Sequence, residues 1–129
     1  MCAWRLFVTR SLLSKDGRAY FQDILNSIRL IEEFVLGMSF EDFKDDEKTV
    51  AAVERKLLVI SEAAIRLGET AQELCPDTPW RDIRGLGNWI RHQYGDVDSG
   101  KVWEMVVQDV PPLKAAVTKV LELFPLPTN

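Results

Sequence analysis

Between Tyr20 and Val35 the apolar residues recur at three- and four-residue steps: Tyr20, Phe21, Ile24, Leu25, Ile28, Ile31, Phe34 and Val35. This spacing follows the period of an α-helix and gathers all of them on one face. A chain built this way must bury that face against other elements. The pattern predicts a helix from about Arg18 with Gly37 at its end. Ser39, with Asp42 three residues on, predicts a new N-cap, and Phe40 and Phe43 pin this short turn to the core. A second stripe of Val50, Val53, Leu57, Ile60, Ala64 and Leu67 predicts a long helix over about 47–73, bent at Gly68. Cys75 to Pro79 reads as a loop. A third helix is expected from about Trp80 to Tyr94, and a turn follows over residues 95–98. The last helical stretch runs from about Ser99 to Phe124. Pro111 and Pro112 should kink or split it, and Asp109 is placed to cap its second half.

No segment alternates with period two, and no hairpin signal joins two β-rich runs. The fold class is therefore all-α, an up-and-down bundle of four to five helices. The 129 residues, 47% of them hydrophobic, suffice for one core. The organisation is an N-terminal tail over 1–17, a helical domain over 18–124 and a C-terminal tail over 125–129. A net charge of −4 argues against a generic basic nucleic-acid binder, although a local basic cluster can still act on RNA. Cys2 and Cys75 make no disulfide framework, which fits a cytoplasmic setting, and with one histidine they offer no zinc set. No metal or cofactor is expected. No apolar run approaches the roughly 18 residues that span a membrane. Met1 to Lys15 carries Arg5, Arg10 and Lys15, several apolar residues and no acid. It is read as an extra tail rather than a targeting sequence.

The chemistry-bearing residues concentrate between Trp80 and Tyr94. Gly85 and Gly87 interrupt a helical run at up to about 1 kcal/mol each, and such glycines often let a backbone or ligand approach. Arg84, Asn88, Arg91 and His92 fall on linked three- and four-residue steps and share one face, while Ile83, Leu86 and Ile90 serve the core. His92 is the sole histidine. Histidine can exchange a proton near neutral pH, arginine can grip a phosphate, and asparagine can orient it. The set suits metal-independent attack of an RNA 2′-hydroxyl on the adjacent phosphate. On chemistry alone, the first reading is that His92 is a partly buried helix residue and the arginines are solvated or salt-bridged.

The chain resembles the HEPN superfamily, specifically the HepT-like helical proteins paired with MntA-type minimal nucleotidyltransferases. The likeness rests on Trp80, Ile83, Gly85 and Asn88, then His92-x-Tyr94, Val97-Asp98, Val102-Trp103 and Asp109-Val110-Pro111-Pro112-Leu113. Upstream it includes Asp23-Ile24-Leu25, Ile31-Glu32, Ser39 to Phe43, Asp46 to Thr49 and Ile60 to Ala64. It covers about Arg18 to Leu121. The resemblance implies a HEPN-like bundle that forms a homodimer, with the motif helices paired across a cleft. It also implies a metal-independent RNA endonuclease acting as a toxin, silenced when an MntA-like antitoxin transfers AMP to the motif tyrosine. In the motif Arg-x-x-x-x-His-x-Tyr, His92 is the histidine, Tyr94 the AMP acceptor, and Asn88 the polar residue after the arginine. Gly87 stands where the arginine would be. Arg84 and Arg91, one turn to either side, are the candidates to supply the missing charge. A second reading is a non-catalytic nucleotide- or substrate-binding subunit of a nucleotidyltransferase complex, and a third is a helical dimerisation module. Trp80, Trp89 and Trp103 are read as core or interface residues before base-stacking ones. Glu62 and Asp46 are read as capping or salt-bridging groups, and Cys75 as a packed loop residue.

Overall fold

A computed structural model describes residues 13–92 and 98–125. Helix α1 (Lys15–Phe34) begins three residues before Arg18, because the Ser14 hydroxyl accepts the Gly17 amide at 2.9 Å and fixes the start there. Val35 caps its end, and Gly37 turns the chain with a φ of 76°. Ser39 and Asp42 form the expected reciprocal capping box at the start of α2 (Phe40–Lys44). Asp46 caps α3 (Glu47–Leu67), accepting from the Thr49 amide at 3.0 Å and the Thr49 hydroxyl at 2.9 Å. These bonds lower the Asp46 carboxyl pKa, since they favour its charged form.

The second long helix is shorter than its pattern suggested. Gly68 adopts a φ of 54°, a left-handed conformation that breaks the helix rather than bending it. A separate short helix, α4 (Glu69–Leu74), follows it. After the 75–79 loop comes α5 (Trp80–Arg91), and then α6 (Ser99–Glu104), a π-helical turn (Met105–Asp109) and α7 (Val110–Leu123). The interruption expected at Pro111 and Pro112 takes the form of a π-turn just before them, after which a new helix begins. Both prolines lie in the first turn of α7, where a missing N–H costs little, and the chain reaches them by widening into the π-turn. Asp109 makes no side-chain cap there, because the residues before α7 are already helical.

The four longer helices run up and down. Arg18 Nε donates to the Phe124 carbonyl at 2.9 Å, joining the start of α1 to the end of α7. Lys114 meets Glu32 at 2.9 Å, joining the other ends of the same two helices. Trp80, wholly buried at the start of α5, lies edge-on to Phe21 near the start of α1, with ring centroids 6.3 Å apart. Helix α5 therefore runs with α1 and antiparallel to α3. Phe21, Ile24, Ile28, Val53, Leu57 and Val117 fill the centre. At one end, buried Phe43 packs on Trp103 at 5.1 Å and seats α2 against α6. Among the described residues there is no strand, and no helix is long and apolar enough to cross a membrane.

Helix α5 packs on α3, and α7 packs on α1. Between α5 and the π-turn with α7 lies an open groove of about 430 Å³. Leu57, Ile60, Ile83, Leu86, Met105 and Leu113 line it, with Asp77, Asp82 and Asp109 among its polar residues.

Candidate functional site

Three faces of α5 have three different tasks. Ile83 and Leu86 line the groove. Gly87 faces α3 and is buried there, so closely that a Cβ would sit 3.0 Å from both Leu58 Cδ1 and Ser61 Oγ. The remaining face carries Arg84, Asn88, Arg91 and His92. At about 100° per residue, Arg84, Asn88 and Arg91 fall within a narrow arc, with His92 at its edge. Arg84 is half-buried, whereas Asn88, Arg91 and His92 are exposed.

His92 ends the helix. Its amide donates to the carbonyls of Asn88 at 3.1 Å and Trp89 at 3.3 Å, and its backbone leaves the helical region at φ −93°, ψ 0°. The imidazole is thereby carried at the exposed tip of α5, one turn beyond Asn88. Tyr94 lies outside the described residues. Arg84 is held from behind, because its carbonyl accepts the Ser61 hydroxyl at 2.9 Å. Among the described residues, neither Arg84 nor Arg91 is ion-paired, and the salt bridges Lys44–Glu41 and Lys114–Glu32 lie on other helices. The guanidiniums of Arg84 and Arg91, an amide and an imidazole on one face form a set that can bind a phosphodiester and exchange protons with it. Among the described residues, no three His, Cys, Asp or Glu side chains cluster as metal ligands.

Two residues near this face had no role assigned from the sequence. Ser61, wholly buried, bonds both Arg84 and Gly87 of α5. Its signal was a serine set among the buried residues of α3. Glu54 lies on the same stripe as Leu58 and Ser61, toward the start of α3 and hence toward the end of α5. It is half-buried, and burial raises its carboxyl pKa above the ordinary value. Trp80 belongs to the core, with its indole N–H donating to the Cys75 carbonyl at 2.9 Å. Trp103 packs on Phe43, Trp89 is partly buried, and Glu62 is exposed. Cys75 is a packed loop residue whose thiol is pushed up to about 11 by burial.

The sequence model described as "Ribonuclease HepT-like" matches residues 24–120, from the middle of α1 to the last turn of α7. The chain belongs to the HepT-like family. It is 36% identical over 108 residues to the "Probable ribonuclease HepT" of Thermococcus cleftensis, covering 84% of this chain and 98% of that protein. It is 32% identical over 108 residues to the "Putative RNase TTE0752" of Caldanaerobacter subterraneus subsp. tengcongensis, covering 84% of this chain and 96% of that protein. Over 97 residues it is 36% identical to the "Putative RNase MJ0127" of Methanocaldococcus jannaschii, covering 75% of this chain and 80% of that protein. No solved structure matches it. The stretch matched to the HepT-like family contains all of α5, including Arg84, Asn88 and Arg91, and His92 at its tip.

Proposed function

We propose that this HepT-like chain is a metal-independent RNA endonuclease whose site is the Arg84–Asn88–Arg91–His92 face of α5. The observation that carries the reading is that face itself. It presents Arg84 and Arg91, neither ion-paired among the described residues, beside an exposed histidine, in a chain whose relatives are named as ribonucleases. In this chemistry the ribose 2′-oxygen attacks the adjacent phosphorus and the bond to the 5′-oxygen breaks. The 2′-hydroxyl loses a proton, the leaving oxygen gains one, and the products are a 2′,3′-cyclic phosphate and a 5′-hydroxyl. Arg84 and Arg91 hold the phosphate and its developing charge, Asn88 orients it, and His92 moves a proton. The chain has a single histidine. Two proton transfers on opposite sides of the phosphorus therefore call for a homodimer in which each protomer supplies His92.

In the same proposal the protein acts as a toxin in the cytoplasm. Its antitoxin is an MntA-like nucleotidyltransferase that silences it by transferring AMP to Tyr94, two residues from the imidazole. An oligoribonucleotide containing one 2′-deoxy residue tests the chemistry. Cleavage should vanish at that step alone and should persist in a metal chelator. Cleavage at the deoxy step, or its loss with the chelator, contradicts the reading. Light scattering should give the mass of a dimer, and a strict monomer contradicts the shared cleft.

Gly87 favours a second reading, a non-catalytic nucleotide- or substrate-binding subunit. The residue is buried with no side chain to offer, and Ser61 and Leu58 occupy the space beside it. An inert natural protein that gains RNA cleavage in the Gly87→Arg, Ser61→Gly double variant supports this second reading over the first.

A further inference from the structure

The groove between α5 and α7 plays no part in the chemistry above, and its lining has a definite character. Its floor is apolar, built by Leu57, Ile60, Leu86 and Leu113, and its volume of about 430 Å³ falls within the range of ligand sites. Its rim is acidic. Asp77, Asp82 and Asp109 are all exposed and, among the described residues, none of them is ion-paired. One wall is the π-turn, the kind of helical irregularity that often marks a functional position. The occupant that fits is an apolar, positively charged polypeptide segment. A second copy of the chain seated here about a two-fold axis would bring its own three aspartates toward these, so the rim disfavours self-pairing through this face.

The chain contains one stretch of the required composition. Residues 1–12 hold Trp4, Leu6, Phe7 and Val8 together with Arg5 and Arg10, and no acid. They precede Leu13, which packs against the core at the start of α1. About 12 Å of helical rise separates Leu13 from Phe21. Phe21 touches Trp80, the residue after the groove-lining Pro79. Twelve residues can span about 40 Å when extended, which exceeds this path. We infer that residues 1–12 dock in the α5–α7 groove of their own chain, with their apolar side chains on its floor and Arg5 and Arg10 against its aspartates.

The full-length protein allows a direct test. Cys75 is buried, so a nitroxide reagent near neutral pH labels Cys2 selectively. The label should broaden the methyl resonances of Ile83, Leu86 and Leu113 more than those of Ile65 and Leu36, which are exposed on α3 and after α1. The Arg5→Glu, Arg10→Glu variant should lose this selectivity while keeping its melting temperature. Equal broadening of both sets overturns the inference, as does selectivity that survives the charge reversal. Isotope-labelled protein mixed with separately spin-labelled protein resolves the source. Broadening of the groove methyls in that mixture means that a second copy supplies the segment, and this also overturns docking within one chain.

Discussion

The Ser61 hydroxyl accepts the Gly87 amide at 3.0 Å and donates to the Arg84 carbonyl at 2.9 Å. One buried side chain of α3 thus grips a turn of α5 at two points through backbone alone. A Cβ at residue 87 would meet Ser61 Oγ and Leu58 Cδ1 at 3.0 Å, so both side chains would have to shift to keep the grip. The absence of an arginine at this position is therefore tied to how closely α3 and α5 pack.

That coupling is measurable. Gly87→Ala gains up to about 1 kcal/mol of helix propensity but must displace Leu58 or Ser61, and overpacking typically costs about 1–3 kcal/mol. Net destabilisation is expected in urea unfolding. Gly87→Arg should cost more, and Ser61→Gly should recover part of that loss in the double variant. Strict additivity of the two changes would show that the residues do not compete for space.

The indole of Trp80 should matter through its N–H as well as its bulk. Trp80→Phe leaves the Cys75 carbonyl without this donor and opens a gap beside Phe21. A loss of about 2–4 kcal/mol is expected from the unmet hydrogen bond and the cavity together. A thermal melt shows this, and an unchanged melting temperature would place the ring outside the core.

Cys75, with its thiol pushed up to about 11, should resist alkylation in the folded protein. At pH 8 only about one molecule in a thousand carries the reactive thiolate. Mass spectrometry after iodoacetamide treatment should find Cys75 unmodified until denaturant is added. Rapid native modification would mean that the 75–79 loop opens.

Glu54 supplies the pH dependence. Burial raises its folded pKa above the unfolded value of about 4.5, so the folded state holds its proton more tightly. The resulting stabilisation is fully present below that unfolded value and is lost as pH rises through the raised folded value. Glu54→Gln should remove this dependence, giving a variant that gains on the parent from pH 4 to pH 8 in urea unfolding. A constant difference across that range would mean that the carboxyl titrates normally.

Most of the helical framework was legible because its signals are local. Ser39 with Asp42, the stripe of α1 and the buried residues of α3 each act within a few residues of themselves. Gly68 and the Pro111–Pro112 pair were harder, since a glycine can bend or break a helix and a proline can end one or begin one. Which occurs depends on how α4 and the π-turn pack. The shared face of Arg84, Asn88 and Arg91 followed from helical periodicity. The α3–α5 grip and the α5–α7 groove did not, because both arise between helices distant in sequence. No periodicity within α5 shows that Ser61 fills the space beside Gly87.

Cleavage of RNA by His92 and its neighbours on α5 is open to direct measurement. The decisive measurement is the cleavage rate of an oligoribonucleotide by purified wild-type protein and by His92→Ala, with the melting temperatures of both recorded. The wild type should cleave, and the variant should lose at least about 10²-fold in rate at an unchanged melting temperature. Equal rates, or a wild type that leaves RNA intact, would contradict the proposed chemistry.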